Sequence, residues 1–274
     1  MIKALESKTA KVTAALITYL LVLCVGVSSQ TNPRVKLLKQ LESASWETRA
    51  SAFYQLIGVG LGKTFDGETS QMESIVSKLL ATDPGAENRT RLGLIGLLDR
   101  ENAVVRRQRV EFENTGKTLT EAYVNYYGDL IAAVGALDDV RSVGALLGAI
   151  TTGGMATRGL ARLGRPALQP SLQELNSADP LTRSAALRVL SEMVSSEGFS
   201  VDAASSSQIR DAMVKSLTDQ DSNVRIAAVE GVAKLNDPRL RPLIEKLATK
   251  DPYQMENTYP VREAATRVLR EWQR

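Results

Sequence analysis

A short phrase recurs along the chain, and it constrains the fold more than any other feature of the sequence. Each copy has Thr or Val, then Arg, then a pair of small residues, and an apolar residue seven positions after the Arg. A helical phrase that recurs at roughly 40-residue spacing is typical of a stacked α-helical solenoid. The copies are residues 48–56, 182–190, 224–232 and 261–269.

The recurring phrase predicts which side of each helix faces the core. Its apolar positions follow one another at spacings of 4, 4 and 3 residues, which places them on one stripe of a helix. The second column of this stripe is always alanine. So small a side chain lets a neighbouring helix approach closely. The alanines are Ala52, Ala186, Ala228 and Ala265.

A second kind of phrase precedes the first and marks the start of another helix. Asp139 and Asp237 open two such segments, and Pro166 stands near the start of a third. Proline fits the first turn of a helix, where its missing N–H costs nothing. Asp179 and Asp221 stand just before the later helices as N-caps. We therefore expect an all-α fold, an α-solenoid of about six to seven antiparallel helix pairs.

These phrases resemble HEAT repeats, specifically the subclass similar to phycobilisome lyase HEAT-like repeats. The resemblance is clear over residues 138–272, moderate over 33–60 and weak between them. It implies that the recurring Asp and Arg residues form a structural ladder between neighbouring units. The resemblance implies this structural role for Arg183, Arg225 and Arg262. Arg49 and Arg158 match the pattern less closely and are assigned the same role.

The segment between the two regions of resemblance is less regular. Residues 71–80 and 91–98 are expected to form one helix pair, and the charged stretch 102–112 a solvated helix or an insertion. Residues 120–137 are expected to form a long helix. Its three tyrosines share one face and would form a core or a groove wall: Tyr123, Tyr126 and Tyr127.

The N-terminus has the layout of a secretory signal peptide. Basic residues up to Lys11 precede an uncharged stretch, 12–27, and small residues lead to a cleavage position after Ser29. An uncleaved membrane anchor and a lipoprotein attached at Cys24 are the alternatives. The expected organisation is 1–29 signal peptide, 30–136 divergent helical repeats and 137–274 HEAT-like repeats. The expected location is exported, either periplasmic or secreted, or held at the membrane by the N-terminal segment.

Composition excludes several kinds of chemistry. The chain contains no histidine, so histidine general bases and histidine-ligated metals are excluded. The only cysteine, Cys24, would leave with the signal peptide, which removes three basic residues and one acidic residue as well. The nearly neutral mature chain has no broad positive field for nucleic acid. We therefore expect no catalytic residue, metal, cofactor or nucleic-acid partner.

The remaining function is binding. We expect a non-enzymatic scaffold or adaptor that holds a protein or peptide partner on its concave face, with the membrane contacted only through an uncleaved N-terminal segment. The alternative is a lyase-like enzyme or enzyme accessory. Positions two residues beyond the alanine column are turned about 200° from the core and would face the groove. The candidate binding residues are Arg188, Glu230, Arg267 and Tyr54.

Overall fold

The computed structural model describes residues 32–59, 69–82, 85–116, 118–195 and 202–272. The predicted signal segment, 1–29, lies outside the described residues. Thirteen α-helices occupy the described ranges. The first six are α1 Pro33–Gln40, α2 Trp46–Leu56, α3 Thr69–Ala81, α4 Glu87–Thr115, α5 Glu121–Ala136 and α6 Val143–Gly148. The other seven are α7 Gly154–Leu163, α8 Arg165–Glu174, α9 Pro180–Ser195, α10 Ala203–Ser216, α11 Ser222–Leu235, α12 Arg241–Lys250 and α13 Pro260–Glu271.

Twelve of these helices form six consecutive pairs, and α3 is additional. The pairs are α1/α2, α4/α5, α6/α7, α8/α9, α10/α11 and α12/α13, and the members of each pair contact one another. The links within the first five pairs are of the length typical of helical hairpins. α3 packs against α5. The described chain is thus an all-helical repeat solenoid, and none of its helices is long and apolar enough to cross a membrane.

The pairs stack into two layers. The second helices contact each other in succession from α5 through α7, α9 and α11 to α13. The first helices α4, α6, α8 and α10 contact each other in the same order and form the other layer. Small residues allow these contacts to be close. A Cβ built on Gly159 of α7 would lie 2.9 Å from the Cα of Gly135 in α5. The crossing of α5 and α7 therefore depends on glycine at both positions.

The alanine column faces the core, as the periodicity predicted. Ala186, Ala228 and Ala265 are fully buried, and Ala52 is 1% exposed. The expected helix starts are also present. Asp237 accepts a hydrogen bond from the backbone N–H of Arg239, and Asp221 caps α11.

Arginines of the recurring phrase form a ladder between neighbouring pairs. Arg225 donates to both carboxylate oxygens of Asp251 at 2.7 and 2.9 Å. It also donates to the carbonyls of Asp219 and Gln220, which belong to its own hairpin link. Arg183 repeats the pattern with the Asp219 carboxylate at 2.9 and 2.8 Å. Each arginine therefore closes its own hairpin and ties it to the next pair.

The ladder extends to Arg49 but not to Arg158, and the hydrogen bond of Arg262 stays within its own hairpin. Arg49 holds both carboxylate oxygens of Glu101, an acid inside α4, at 2.5 and 2.9 Å. Arg262, in the last pair, donates to the backbone carbonyl of Asp251 at 2.7 Å. The structural role expected of Arg158 is wrong, because its side chain is exposed and no described carboxylate pairs with it.

The less regular middle of the chain forms a buried polar cluster. The two helices expected around residue 84 are present as α3 and α4, but their expected pairing is wrong, because both pack mainly against α5. α4 continues through the charged stretch to Thr115. Tyr123 and Tyr126 donate to Glu101, and Tyr127 donates to Asn102 at 2.6 Å. All three tyrosines lie in the core rather than on a groove wall.

Candidate binding groove

A shallow depression runs across the second helices of three successive pairs. Its walls come from α7, α9 and α11, together with the turn that leads into α7, and its volume is about 540 Å³. We call it the second-helix groove. The charged residues that line it are Arg158, Arg188, Glu192, Glu230 and Lys234.

Both carboxylates of the groove are already paired. Lys234 of α11 donates to Glu192 of α9 at 3.1 Å. Glu230 of α11 accepts from Arg267 of α13 at 2.8 Å, at the α13 end of the groove. All four side chains remain partly exposed to solvent. These pairs therefore link successive second helices across the surface without being buried.

Two arginines of the groove have no acidic partner among the described residues. Arg158 of α7 is exposed, and its guanidinium donates to the sulfur of Met155 at 3.3 Å. Arg188 of α9 is exposed too, and its guanidinium pairs with no described carboxylate. The groove therefore carries an excess of positive charge at the side formed by α7 and α9.

The turn before α7 keeps that side of the groove open. Gly153 has φ 134°, a backbone conformation that favours glycine, and Gly154 begins α7. A Cβ added at either glycine would have no atom within 4 Å. Ile150 and Ala227 form a small apolar part of the lining and are almost fully buried. A ligand backbone would therefore meet the least obstruction at Gly153 and Gly154.

Three of the four predicted binding residues are exposed. Arg188 and Glu230 line the second-helix groove, and Arg267 pairs with Glu230 at its end. These three residues therefore lie on the same side of successive helices, as their periodic spacing predicted. Their contact with a partner stays a prediction.

The expected surface position of Tyr54 is wrong. Its side chain is 6% exposed and donates to Asp129 of α5 at 2.7 Å. Tyr54 also lies 6.3 Å from Tyr126, measured between ring centroids. The reason is that α2 packs against the aromatic side chains of α5 and is buried around most of its circumference. The position that faces the groove in the later repeats is therefore covered by α5 in the first repeat.

Sequence reasoning missed three residues of the groove. Glu192 lies four residues after Arg188, and Lys234 lies four residues after Glu230. An extension of the predicted column by one helical turn would have found both, because residues four apart share a face. Arg158 was assigned to the ladder instead, on the strength of a loose match to the phrase.

The described residues contain no group of three or more His, Cys, Asp or Glu side chains that could hold a metal ion. Burial raises the pKa of Asp129 to about 6, although the hydrogen bond from Tyr54 opposes the shift. This carboxyl lies in the core between α2 and α5, away from the groove.

The comparisons with known proteins agree with the repeat architecture. Residues 169–270 match the family model for HEAT repeats. The matched HEAT-repeat segment begins within α8 and includes α9 and α11, two of the three helices of the groove. No curated protein sequence matches the chain.

Several solved structures are similar over most of the chain. A designed armadillo repeat protein in complex with the peptide (KR)4 is 15% identical, with a TM-score of 0.43, and the alignment covers 86% of this chain and 98% of that one. An engineered protein is 18% identical, with a TM-score of 0.42, and the alignment covers 89% of this chain and 97% of that one.

Proposed function

We propose that this protein is a non-enzymatic scaffold or adaptor that binds a protein or peptide partner in the second-helix groove. The observation that carries the proposal is the continuity of the groove across α7, α9 and α11. Four of its five charged residues are exposed and Glu192 is half-buried, so the packing of the core does not depend on them. We propose further that the repeats are of the phycobilisome lyase HEAT-like subclass.

The shape and chemistry of the groove favour a polypeptide over a small molecule. Sites for small molecules are usually concave, mostly apolar and able to bury most of the ligand. This depression is open to solvent and lined mainly by charged and small residues. An extended chain that lies along successive second helices would use such a surface better than a compact cofactor. The proposal therefore includes no cofactor and no nucleic acid.

We also propose that the chain is exported and functions in the periplasm or outside the cell. The support is the basic, apolar and small-residue order of residues 1–29. Intact-mass analysis of the exported protein tests this proposal. The expected mature N-terminus is Gln30. A soluble exported form that retains Met1 would contradict cleavage.

Charge reversal in the groove tests the binding function. The double variant Arg188→Glu/Arg267→Glu is expected to lose capture of partners from the exported fraction. Its free energy of unfolding should change by less than about 1 kcal/mol, because exposed charges contribute little to stability. Quantitative mass spectrometry of captured proteins and thermal unfolding provide the two readouts.

The matched control reverses two exposed arginines of α4, Arg89→Glu and Arg107→Glu, with the same change in net charge. This control should capture the same partners as the wild type. Equal capture by the wild type and the groove variant would remove the groove from the binding site. Equal loss in both variants would show that only the net charge of the protein matters.

A further inference from the structure

We infer that the occupant of the second-helix groove is an acidic polypeptide segment that crosses the Gly153–Gly154 turn and places carboxylates against Arg158 and Arg188. This inference rests on the proposed function and specifies the chemistry of its partner. Three observations support it: two arginines of the groove have no described acidic partner, the guanidinium geometry suits carboxylates, and the turn leaves open space.

The balance of charge in the groove favours an anion. Together with Arg267 at its α13 end, the groove contains four positively charged side chains and two carboxylates. The carboxylates of Glu192 and Glu230 are held by Lys234 and Arg267. A basic segment would have to displace one of these pairs. An acidic segment finds two guanidinium groups that no described carboxylate occupies.

The two free groups suit carboxylates in particular. A guanidinium presents planar N–H donors that match both oxygens of a carboxylate. Arg158 and Arg188 belong to α7 and α9, which pack directly against each other, and packed helices lie about 8–10 Å apart. Side chains two residues apart in an extended peptide point the same way, roughly 7 Å from each other. Two acidic residues separated by one other residue would therefore reach both arginines.

The glycine turn provides the path for the peptide backbone. Gly153 and Gly154 leave open space beside Arg158, where any side chain would occupy the groove. A backbone that passes there could come close to α7 while its acidic side chains turn toward the arginines. Bulk at Gly154 should therefore block the peptide without disturbing the core, since an added Cβ there meets no atom within 4 Å.

Three synthetic peptides of equal length test the inference with the full chain. They carry Glu, Gln or Lys at two positions separated by one residue, and binding is followed by fluorescence anisotropy. The Glu peptide should bind about tenfold more tightly than the Gln peptide, because charge-assisted hydrogen bonds are roughly twice as strong as neutral ones. The Lys peptide should bind least. High salt should weaken the Glu peptide most.

Two pairs of variants locate the site. Arg158→Glu/Arg188→Glu should abolish the preference for the Glu peptide, whereas the α4 control Arg89→Glu/Arg107→Glu should keep it. Gly154→Trp should weaken binding, whereas Gly144→Trp should not. Gly144 is also exposed near a helix start with open space around it, but it lies on α6 in the other layer.

Several results would overturn the inference. One is that the Gln or Lys peptide binds as tightly as the Glu peptide or more tightly, and another is that none of the three peptides binds. The third is that the Glu peptide still binds after both groove arginines are reversed. None of these peptide results tests the proposed function itself. That function is tested separately by the capture experiment with Arg188→Glu/Arg267→Glu, which uses natural partners. A captured partner that depends on the groove but contains no acidic segment would reject the inference and support the function.

Discussion

At the scale of single residues, two buried carboxyls of the first pairs have different environments. Glu101 is fully buried and accepts hydrogen bonds from Arg49, Tyr123 and Tyr126, so a cation compensates its charge. Asp129 is 8% exposed and accepts from Tyr54, but it has no cationic partner among the described residues. Burial without a cation disfavours the ionised form and raises the pKa of Asp129 to about 6.

Asp129→Asn is therefore expected to stabilise the protein at neutral pH. The folded state holds the Asp129 proton more tightly than the unfolded chain does. Between about pH 4 and pH 6 the folded protein thus binds more protons, and its free energy of unfolding falls as pH rises through this window. The asparagine variant lacks this loss and should be more stable than the wild type by about 3 kcal/mol at pH 7.5.

Urea unfolding at several pH values measures the effect. The advantage of Asp129→Asn over the wild type should shrink as pH falls below 6 and vanish near pH 4. Asp211→Asn, at an exposed position of α10, controls for the general loss of a negative charge and should not stabilise the protein at pH 7.5. An advantage that is the same at every pH would reject the titration of Asp129 as its cause.

Ala228→Leu tests the close approach at the alanine column. Ala228 is fully buried in α11, which packs between α9 and α13. The larger side chain should destabilise the protein by about 1–3 kcal/mol because extra methylenes force the helices apart. Thermal unfolding measures the change. Ala204→Leu, at an exposed position of α10, should melt like the wild type. If both variants melt alike, Ala228 does not face a tight contact.

At the scale of the elements, the arginine ladder repeats one geometry at successive hairpins. Arg183 and Arg225 each bond two carbonyls of their own link and one carboxylate of the next pair. Burial is the largest single influence on the pKa of Asp251 and would raise it. The hydrogen bonds from Arg225 and from the backbone N–H of Tyr253, together with the positive charges of Arg225 and Arg262, outweigh burial and lower the pKa. This balance keeps the carboxylate ionised in a nearly buried position.

Removing a ladder arginine should cost more than removing an exposed one. Arg225→Ala leaves the Asp251 carboxylate without its cation and should destabilise by about 3–5 kcal/mol. Arg239→Ala removes an arginine that also grips an aspartate, Asp237, but whose side chain is 77% exposed. Its loss should cost much less, because an exposed ion pair contributes little to stability. Chemical unfolding compares the two, and equal losses would show that the ladder adds no stability beyond a surface pair.

At the scale of the whole molecule, stability should follow position in the stack. Each pair of a solenoid is stabilised by its neighbours, so terminal pairs have one stabilising interface fewer than central ones. α9 and α11 are contacted on both sides by other second helices, whereas α13 is contacted on one side among the described helices.

Hydrogen exchange followed by mass spectrometry measures this gradient. Amides of α9 and α11 should exchange more slowly than those of α1 and α13, the outermost described helices, because helices with fewer packed neighbours open at lower free energy. Destabilising the centre with Ala228→Leu should speed exchange in α11 more than in α1. Uniform exchange along the chain would indicate one cooperative unit instead of a stack with separable ends.

The sequence by itself determined the features that depend on periodicity. The alanine column, the helix starts at Asp139 and Asp237 and the exposed side of α9, α11 and α13 follow from residue spacing along single helices. Residues three or four apart lie on the same face of a helix, so their spacing identifies the inner and outer faces without knowledge of the fold.

Only the tertiary structure decided what lies against each face. Tyr54 occupies the groove column of its phrase but is covered by α5, and Arg158 occupies a ladder column but faces the groove. Glu101 replaces the link aspartate as the partner of Arg49 from within a helix. These outcomes depend on contacts between helices far apart in the chain. Whether a side chain is buried or paired is decided by the helix that packs against it as much as by the residue itself.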